Sequence, residues 1–410
     1  MAVRRRAAIG TALASAVLAA ACSSAATDPV HHVTATTSTS TTTTVAAPTT
    51  TLPSAAPTTV PLPVVPTPGW SRPLTSLPPV GGFTSVSCIS DVFCLAAGGG
   101  SNHADVVDST GPGVVDAWDG ASWATPVTYF ATAPGSAPPP WMAAIDCTNG
   151  PLCAVVDGSG HTSLGDGTDW SPPAPLAAAP VAAADPADPG PGHAGGRTAG
   201  VSCPTSQFCA YVDNTGHVAT LHGTTWSAPQ SMTAGVAGST VELFQTGRVG
   251  VSCVDPSACT ALVGGAVLDW NGTSWTTSAA PWGAGAASGD SAVSCPATGT
   301  CVAVHGASVS VRSPVGSWSP PRVIDAGGQL DSLSCPTTTS CTAVDAAGDV
   351  IRLAAGSWGL PTRVVPAPQS YPGDGTTVSC PSEQFCMVLT GDGDYATFQG
   401  AAAAASSGTP

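Results

Sequence analysis

The sequence predicts an all-β protein built from seven repeats, and three observations support this. Charged residues make up 9% of the 410-residue chain, compared with about 25% in typical globular domains. The chain has no lysine, and its only glutamates are Glu242 and Glu383, so long helices with glutamate–lysine surface pairs are not favoured. Cysteine pairs of one spacing recur seven times, and a tryptophan follows six of them.

The first 21 residues are predicted to be an export signal. Three arginines are followed by an apolar run over residues 7–18 and by small residues at 19–21. This run is shorter than the roughly 20 residues that a membrane-spanning helix needs. The small residues ending in Cys22 resemble a bacterial lipobox, which implies cleavage before Cys22 and a lipid on its thiol. Cleavage by the ordinary signal peptidase, which releases a soluble protein, is the alternative.

Residues 22–68 are predicted to form a disordered, lipid-anchored stalk. They consist mainly of threonine, serine, proline, alanine and valine without hydrophobic periodicity, so they cannot form a packed core. Proline-rich chains are extended, at about 3 Å per residue. An alanine-rich tail over residues 401–410 is also predicted to be disordered.

Fourteen cysteines follow Cys22, and all belong to C-x5-C pairs. The residue two places before each pair is aliphatic, and the residue directly before it is serine in six repeats and Asp146 in the other. A short apolar run follows each pair. The pairs are Cys88/Cys94, Cys147/Cys153, Cys203/Cys209, Cys253/Cys259, Cys295/Cys301, Cys335/Cys341 and Cys380/Cys386.

Each cysteine pair is predicted to form a local disulfide. Cysteines that flank a five-residue hairpin loop can lie opposite each other on adjacent antiparallel strands, within the reach of a disulfide. Export places them in an oxidising compartment, and each small closed loop stabilises the fold by about 2 kcal/mol. Metal binding is the weaker alternative, because the spacing is not that of metal ligands and no histidine recurs at a fixed offset. We predict no metal site, cofactor site or catalytic residue.

Each repeat predicts four strands: A ends at the first cysteine, B starts at the second, C follows, and D starts at the tryptophan. The tryptophans are predicted to pack between repeats. They are Trp123, Trp170, Trp226, Trp275, Trp318 and Trp358.

The seventh cysteine pair has no tryptophan after it, but Trp70 and Pro73 precede the first pair in the pattern of Trp226 and Pro229. The N-terminal strand is therefore predicted to complete the last repeat and close a ring. This arrangement predicts a seven-bladed β-propeller with four-stranded blades over residues 69–400.

Proline lies three residues after the tryptophan in six repeats. Because proline cannot donate to a strand ladder, strand D is predicted to be the outer edge of each blade, where proline also prevents edge-to-edge pairing. The prolines are Pro73, Pro126, Pro173, Pro229, Pro321 and Pro361.

The D–A and B–C loops share one face of a propeller, and the long connections of this chain collect there. Long loops on a rigid scaffold are where binding functions lie, so this face is predicted to bind a protein or glycan partner. Much of this material is rich in alanine, glycine and proline, and disordered filler without a binding role is the alternative. Trp141 and Trp282 lie in connections between blades and are candidates for exposed aromatic contacts, with burial as the default expectation. Asp157, Asp213 and Asp345 are expected to cap their own turns. The long connections cover 98–113, 132–141, 174–200, 232–250 and 278–291.

The Gly-x-x-Trp turn before strand D, as at Gly120–Trp123 and Gly272–Trp275, resembles the end of the Asp-box of sialidase-like propellers. That resemblance implies a divergent glycan-active hydrolase as an alternative function. The serine and aspartate expected upstream are absent, and Asp119 is one place too close to its tryptophan. Although Arg197 and Arg248 precede A strands, no arginine cluster is expected at the channel. The whole of 69–400 resembles the secreted propellers of high-GC Gram-positive bacteria, which implies an exported propeller and no particular activity.

The net charge of −15 excludes nucleic acid as a partner on electrostatic grounds. The leading prediction is a non-catalytic lipoprotein on the outer face of the cell membrane or in the cell wall, with a fully secreted form as the alternative. We expect a monomer whose membrane contact is the lipid on Cys22.

Overall fold

A computed structural model describes residues 69–75, 82–99, 113–125, 127–129, 142–150, 152–157, 160–176, 199–214, 216–232, 248–263, 265–283, 290–368 and 375–400. These residues form thirty strands and no helix. Accordingly, this part of the chain holds no helix able to span a membrane. The predicted export signal 1–21, Cys22, the stalk 22–68 and the tail 401–410 lie outside the described residues.

The strands form seven antiparallel sheets, one for each predicted blade. Blades 1 and 2 contain β2 (Phe83–Ser90), β3 (Phe93–Gly99), β4 (Gly113–Trp118), β5 (Val127–Tyr129), β6 (Met142–Cys147), β7 (Cys153–Asp157), β8 (His161–Gly165) and β9 (Ala174–Pro175). Blades 3 and 4 contain β10 (Ala199–Thr205), β11 (Phe208–Asp213), β12 (His217–His222), β13 (Thr225–Trp226), β14 (Gln230–Ser231), β15 (Gly250–Asp255), β16 (Ala258–Val263), β17 (Ala266–Trp270) and β18 (Trp275–Ala279).

Blades 5 and 6 contain β19 (Ser291–Ala297), β20 (Thr300–His305), β21 (Ser308–Arg312), β22 (Arg322–Val323), β23 (Leu330–Thr337), β24 (Ser340–Asp345), β25 (Asp349–Ala354), β26 (Ser357–Trp358) and β27 (Thr362–Arg363). Blade 7 contains β28 (Thr376–Ser382), β29 (Phe385–Thr390), β30 (Asp394–Gln399) and, from the N-terminal side, β1 (Leu74–Thr75). The all-β, seven-bladed prediction is confirmed.

The ring closes as predicted, through the N-terminal strand. Leu74 pairs with Tyr395, and Trp70 forms a bridge with Phe398 in the last blade. Strand A is the innermost strand, because each A strand contacts the A strands of the two neighbouring blades all the way round the ring, including that of blade 7 with that of blade 1. The A strands therefore line the central channel.

A ring of hydrogen bonds joins the A strands. The residue before the first cysteine of each blade accepts a hydrogen bond from the backbone N–H of the first cysteine of the next blade. This explains why a short acceptor recurs there. The bonds are Cys147 to Ser87 (3.0 Å), Cys203 to Asp146 (2.7 Å), Cys253 to Ser202 (3.0 Å), Cys295 to Ser252 (2.9 Å), Cys335 to Ser294 (3.0 Å), Cys380 to Ser334 (3.0 Å) and Cys88 to Ser379 (2.9 Å).

All seven predicted cysteine pairs are disulfide-bonded across the A–B hairpin, with Cα atoms 4.0–4.1 Å apart. In blade 4, for example, the two cysteines lie directly opposite each other in the antiparallel register. The disulfides join Cys88 to Cys94, Cys147 to Cys153, Cys203 to Cys209, Cys253 to Cys259, Cys295 to Cys301, Cys335 to Cys341 and Cys380 to Cys386.

The two cysteines of a pair differ in burial, which the spacing alone did not predict. The second cysteine starts strand B, one strand further from the channel, and it packs in the core between two blades. Its exposed fraction is at most 4% in every blade and is lower than that of the first cysteine. The second cysteines are Cys94, Cys153, Cys209, Cys259, Cys301, Cys341 and Cys386. All fourteen sulfurs are thus committed to structure, and such a density of disulfides is typical of an oxidising compartment.

The hydrophobic core is divided into seven clusters, one at each boundary between blades. The tryptophan that opens strand D packs against the preceding blade in every case, as predicted. Trp123 of blade 1, for instance, lies edge-on to Tyr395 of blade 7, with ring centroids 6.0 Å apart. The tryptophans thus seal the boundaries on the outer side of the ring.

Strand D is the outer edge of every blade, as predicted, and the proline also interrupts it. In blade 2, Gly165 faces Trp170 but His161 faces Pro175, so strand D holds one residue more than strand C between these pairs. The same one-residue shift occurs in all six blades whose strand D contains the proline. Blade 4 lacks this proline, and its β18 pairs with β17 without a shift. Such bulges form because proline has no N–H to donate to the ladder.

Candidate functional site

The strand register defines two ends of the propeller. Leu330 at the start of strand A pairs with Asp345 at the end of strand B, so the D–A and B–C connections share one end, as predicted. We call this the loop end. The A–B and C–D hairpins share the other end, which we call the disulfide end. Most of the long connections predicted to bind a partner, together with Trp141, lie outside the described residues.

The aspartates that end strand B cap turns at the loop end, as expected. Asp157 Oδ1 accepts the backbone N–H of His161 at 2.8 Å, and Asp213 and Asp345 do the same for the residues four places on. The Asp157 carboxylate also contacts His161 Nδ1 at 3.0 Å, and this hydrogen bond raises the pKa of His161. These carboxylates are therefore committed to local structure.

The turns that resemble an Asp-box have a local structural role. Asp119, Asp166 and Asn271 each accept two backbone N–H groups within the C–D turn, at 2.8–3.0 Å. Hydrogen bonds from Asp169 and Thr168 lower the pKa of Asp166 to about 2. Since these turns lie at the disulfide end, they contribute no group to the loop end.

Charged side chains converge on the channel mouth at the loop end, at the starts of the A strands of blades 4–7. Asp290 Oδ1 accepts the backbone N–H of Arg248 at 2.6 Å, and Ser291 N–H donates to the carbonyl of Arg248 at 3.1 Å. Asp331 Oδ2 accepts the backbone N–H of Thr376 at 3.0 Å. One carboxylate thus bridges blades 4 and 5, and the other bridges blades 6 and 7. We call Arg248, Asp290 and Asp331 the mouth cluster.

The Arg248 side chain reaches across the channel mouth. It starts on blade 4, yet its Nη2 lies so near Gly375 of blade 7 that a β-carbon there would come within 3.2 Å of it and would overlap Asp331 Oδ2. Only glycine therefore leaves room at position 375. Within the described structure, Arg248 Nη2 is buried and has no hydrogen-bond partner.

An aromatic stack borders the mouth cluster. Trp282 lies parallel to the imidazole of His305, with centroids 4.9 Å apart and planes 13° apart. His305 Nδ1 is 3.1 Å from Ser291 Oγ, the neighbour of Asp290. Burial lowers the pKa of His305, so its ring is neutral at physiological pH. Trp282 is half-buried rather than fully exposed, because it packs against the core cluster between blades 4 and 5. Its indole Nε1 is buried and has no hydrogen-bond partner in the described structure.

The carboxyl of Asp331 is sealed from solvent, which limits the chemistry available to it. Burial raises the pKa of Asp331 to about 7, with the neighbouring charge of Asp290 adding to the rise and Arg248 and the Thr376 N–H opposing it. A raised pKa beside a second carboxyl is typical of acid–base catalysis. However, Asp331 is only 3% exposed, so a substrate cannot touch it in this conformation. The mouth cluster therefore has a structural role, because its hydrogen bonds join blade 4 to blade 5 and blade 6 to blade 7.

At the disulfide end, a shallow cavity of about 250 Å³ lies over the channel between blades 1, 2, 3 and 7. Its lining includes Cys88, Cys147 and Cys203, together with Thr148 and Asn149. None of these side chains carries a charge, and the three cysteines are disulfide-bonded. Among the described residues, no group of three histidine, cysteine, aspartate or glutamate side chains is placed to hold a metal ion.

The mouth cluster was not predicted from the sequence. Arg248 was expected before a strand A, but neither Asp290 nor Asp331 was singled out. Arg248 and Asp290 both lie five residues before their first cysteine, and Asp331 lies four residues before its own. Because strand A lines the channel, counting back from the cysteines would have placed all three at its mouth. Arg312 and Arg363 lie away from the channel, paired with Asp269 and Asp349.

Several solved structures resemble this chain at low sequence identity. YCF48 bound to D1 peptide is 14% identical, with a TM-score of 0.52 over 82% of this chain and 99% of that chain. YCF48 from Cyanidioschyzon merolae is also 14% identical, with a TM-score of 0.50 over 81% and 98%. Virginiamycin B lyase from Staphylococcus aureus is 7% identical, with a TM-score of 0.56 over 80% and 99%. No protein-family model and no curated protein sequence matches the chain. These similarities establish the propeller fold alone.

Proposed function

We propose that this protein is a non-catalytic binding module on the outer face of the cell membrane, which holds a protein partner at the loop end of the propeller. The observation that carries the proposal is the mouth of the channel, where a half-buried Trp282 stacks on His305 and the His305 ring contacts Ser291, the neighbour of Asp290 in the mouth cluster. Tryptophan is among the residues that contribute most to protein–protein binding. A protein partner is consistent with this chemistry, and a glycan is the other ligand class.

Rigidity supports a binding role. Seven disulfides and the ring of seven inter-blade hydrogen bonds hold the A strands in place, so the described residues of the channel mouth stand on rigid strands. A preorganised surface loses less conformational entropy on binding and therefore gains affinity. The mouth cluster contributes by tying blades 4–7 together beneath the binding surface.

A photo-crosslinking experiment tests the binding surface. A photoreactive amino acid replaces Trp282 in one variant and Val315 in another, and both are produced in the native host. Val315 is 89% exposed and lies in a C–D turn at the disulfide end, which makes it a matched control. We expect a discrete crosslinked product from position 282 and none from position 315. Equal products from both positions, or none from 282, would contradict the proposed surface.

The proposed absence of catalysis is tested with the purified protein against a panel of glycosides. The alternative of a glycan-active hydrolase rests on the Asp-box resemblance of the Gly-x-x-Trp turns and, among the described residues, on the Asp290 and Asp331 pair. The burial of Asp331 weighs against it. We expect no turnover above the rate of an Asp331→Asn variant. Turnover that this variant loses would establish the enzyme instead.

The proposed anchor on Cys22 is tested by metabolic labelling with an alkyne fatty acid. The wild-type chain is expected to incorporate the label and to stay with the membrane fraction, because a diacylated cysteine partitions into lipid. A Cys22→Ala variant is expected to lose both properties. An unlabelled wild-type chain released into the medium would show that the ordinary signal peptidase cleaves it.

A further inference from the structure

The outer edge of blade 4 differs from the other six edges. Its strand D, β18 (Trp275–Ala279), runs for five residues and pairs one-to-one with β17, from Trp270 opposite Trp275 to Ala266 opposite Ala279. In each of the other blades, the shift at the proline divides strand D into shorter pairings. Proline and bulges are the devices that protect sheet edges from pairing with another chain. The edge of blade 4 has neither device.

The backbone groups of this edge alternate between the blade and the outside. Ala280, directly after β18, donates its N–H inward to the carbonyl of Gly265 at 2.9 Å. The direction of the backbone groups alternates along an antiparallel strand, so the backbone N–H and C=O groups of Thr276 and Ser278 also point toward strand C. The backbone N–H and C=O groups of the remaining three residues of β18 therefore point outward. They are Trp275, Thr277 and Ala279.

The described residues leave this edge open. No other described strand pairs with β18, which ends the order of its sheet. The side chains of Thr276, Ser278 and Ala279 are exposed, and that of Thr277 is partly exposed. All four are small, so another backbone can approach to the spacing of a sheet, about 4.8 Å.

We propose that two copies of this chain pair through β18, antiparallel about a two-fold axis at Thr277. The three outward residues are symmetric about this position: Thr277 faces its own equivalent, and Trp275 faces Ala279. This gives about six backbone hydrogen bonds between copies in a closed, isologous interface. The two blades join into one eight-stranded sheet, with threonine and serine side chains opposed across the boundary, a pairing that stabilises sheets.

Charge favours a second copy as the occupant. The chain carries a net charge of −15, so copies repel over most of their surface, but β18 contains no charged residue. Two copies can therefore meet here without opposed like charges. A basic peptide would find no acidic side chain on this strand to select it. In this proposal a dimer replaces the monomer that was expected from the sequence.

Sedimentation velocity of the full exported chain over a concentration series tests the proposal. We expect the wild type to shift from monomer to dimer with increasing concentration. Thr277→Pro removes an outward N–H without removing one that faces strand C, and we expect it to weaken the dimer at least about tenfold. Thr277→Val keeps the N–H and is expected to dimerise like the wild type. Thermal unfolding and a count of free thiols verify that each variant is folded.

A charge pair makes the test independent of the proline variant. Thr277→Lys and Thr277→Glu each place like charges opposite each other at the two-fold axis, so each alone is expected to be monomeric. An equal mixture of the two is expected to form a heterodimer. The proposal is overturned if the wild type stays monomeric up to the highest concentration, or if neither charge variant alters its association.

Discussion

At the disulfide end of the propeller the seven blades share one pattern, with Asp146 in place of the serine in blade 2, whereas among the described residues of the loop end the blades differ. Each A–B hairpin carries a disulfide, and each A strand accepts one hydrogen bond beside the first cysteine. Among the described residues of the loop end, the charged cluster at the channel mouth belongs to blades 4–7, where Arg248, Asp290 and Asp331 meet. The disulfide end thus repeats the same disulfide and hydrogen bond in each blade. The loop end carries the mouth cluster, which differs from blade to blade and on which recognition can depend.

The difference follows from what each end has to do. A–B hairpins are short, and any blade can use the same covalent closure, so one solution recurs without cost to its neighbours. The start of strand A lies at the channel mouth, where residues from several blades share one space. Seven identical charged residues there would repel one another, so a balanced cluster requires different residues on different blades.

Reduction of the disulfides is expected to have the largest effect. Each bridge closes a small loop and contributes about 2 kcal/mol, so the loss of all seven, about 14 kcal/mol, is comparable with the whole net stability of a typical domain. We expect the reduced chain to unfold at room temperature, followed by circular dichroism with and without a reductant. Retention of the native spectrum after complete reduction would show that the disulfide end does not dominate stability.

Removal of the Arg248 charge is expected to have the next largest effect. Arg248→Met leaves the buried carboxyl of Asp331 without the cation that favours its charged form, which costs about 2 kcal/mol in the free energy of unfolding. Urea titration measures it. Arg322→Met, at an exposed position on the outer edge of blade 5, is the control and is expected to change stability by less than about 0.5 kcal/mol. Equal losses of stability in the two variants would show that the charge of Arg248 contributes no more than that of an exposed arginine.

The pH dependence of stability also tests whether buried charge belongs to the loop end alone. Burial raises the pKa of Asp331 to about 7. It raises to about 6 the pKa of Asp116, in the middle of strand C of blade 1, and the pKa values of Asp146 and Asp345. In the unfolded chain an aspartate titrates near pH 3.9, so between about pH 4 and pH 7 the folded state holds protons that the unfolded state has released. Stability is therefore expected to fall as pH rises through this window.

Asp116→Ser removes one of the contributions from outside the mouth cluster. Asp116 is 1% exposed, and its Oδ2 has no hydrogen-bond partner in the described structure. At the same place, Ser163 and Ser310 donate to the carbonyls of Ser171 and Ser319 at 2.5 and 2.6 Å. Serine at position 116 is expected to stabilise by about 2 kcal/mol at pH 8 and by almost nothing at pH 4. Thermal melts of both proteins at the two pH values measure this. Equal stabilisation at pH 8 and pH 4 would show that the effect does not come from burial of the Asp116 charge.

The smallest expected effect concerns the hydrogen-bond ring. Ser294→Ala removes the acceptor of the Cys335 N–H and is expected to cost about 1 kcal/mol. Ser317→Ala, in an exposed C–D turn, is the control. Chemical denaturation measures both, and a difference below about 0.3 kcal/mol would mean that water replaces the serine hydroxyl.

Much of the fold could be predicted from the sequence because its devices are local and repeated. The C-x5-C spacing predicts a hairpin within a few residues. The position of Trp70 before the first cysteine pair, together with the lack of a tryptophan after the seventh pair, predicts the ring closure. The serine before each first cysteine was visible as a pattern, but its role was not. The partners of this side chain lie on the next blade. Those of Ser87, for example, are Asp146 and Cys147, which are 59 and 60 residues further along the chain. The spacing of residues within one repeat does not show that two repeats are hydrogen-bonded there.

The proline three residues after the tryptophan predicted only part of the structure of strand D. Its place on an outer edge strand is confirmed, but the sequence did not show that strand D holds one extra residue there. The shift depends on which way each backbone N–H points, and that direction follows from the register with strand C. For the same reason, the absence of proline from blade 4 became informative only once β18 was seen to pair without a shift.

The sequence by itself determined the all-β class, the seven blades, the cysteine pairing and the strand that closes the ring, because each follows from contacts within one repeat or from a count of repeats. The tertiary structure alone decided that Arg248 reaches across the channel to the backbone of Gly375 and that Asp331 is sealed beside it. These groups are brought together by closure of the ring. Their proximity depends on the radius and register of seven blades, which no local pattern encodes.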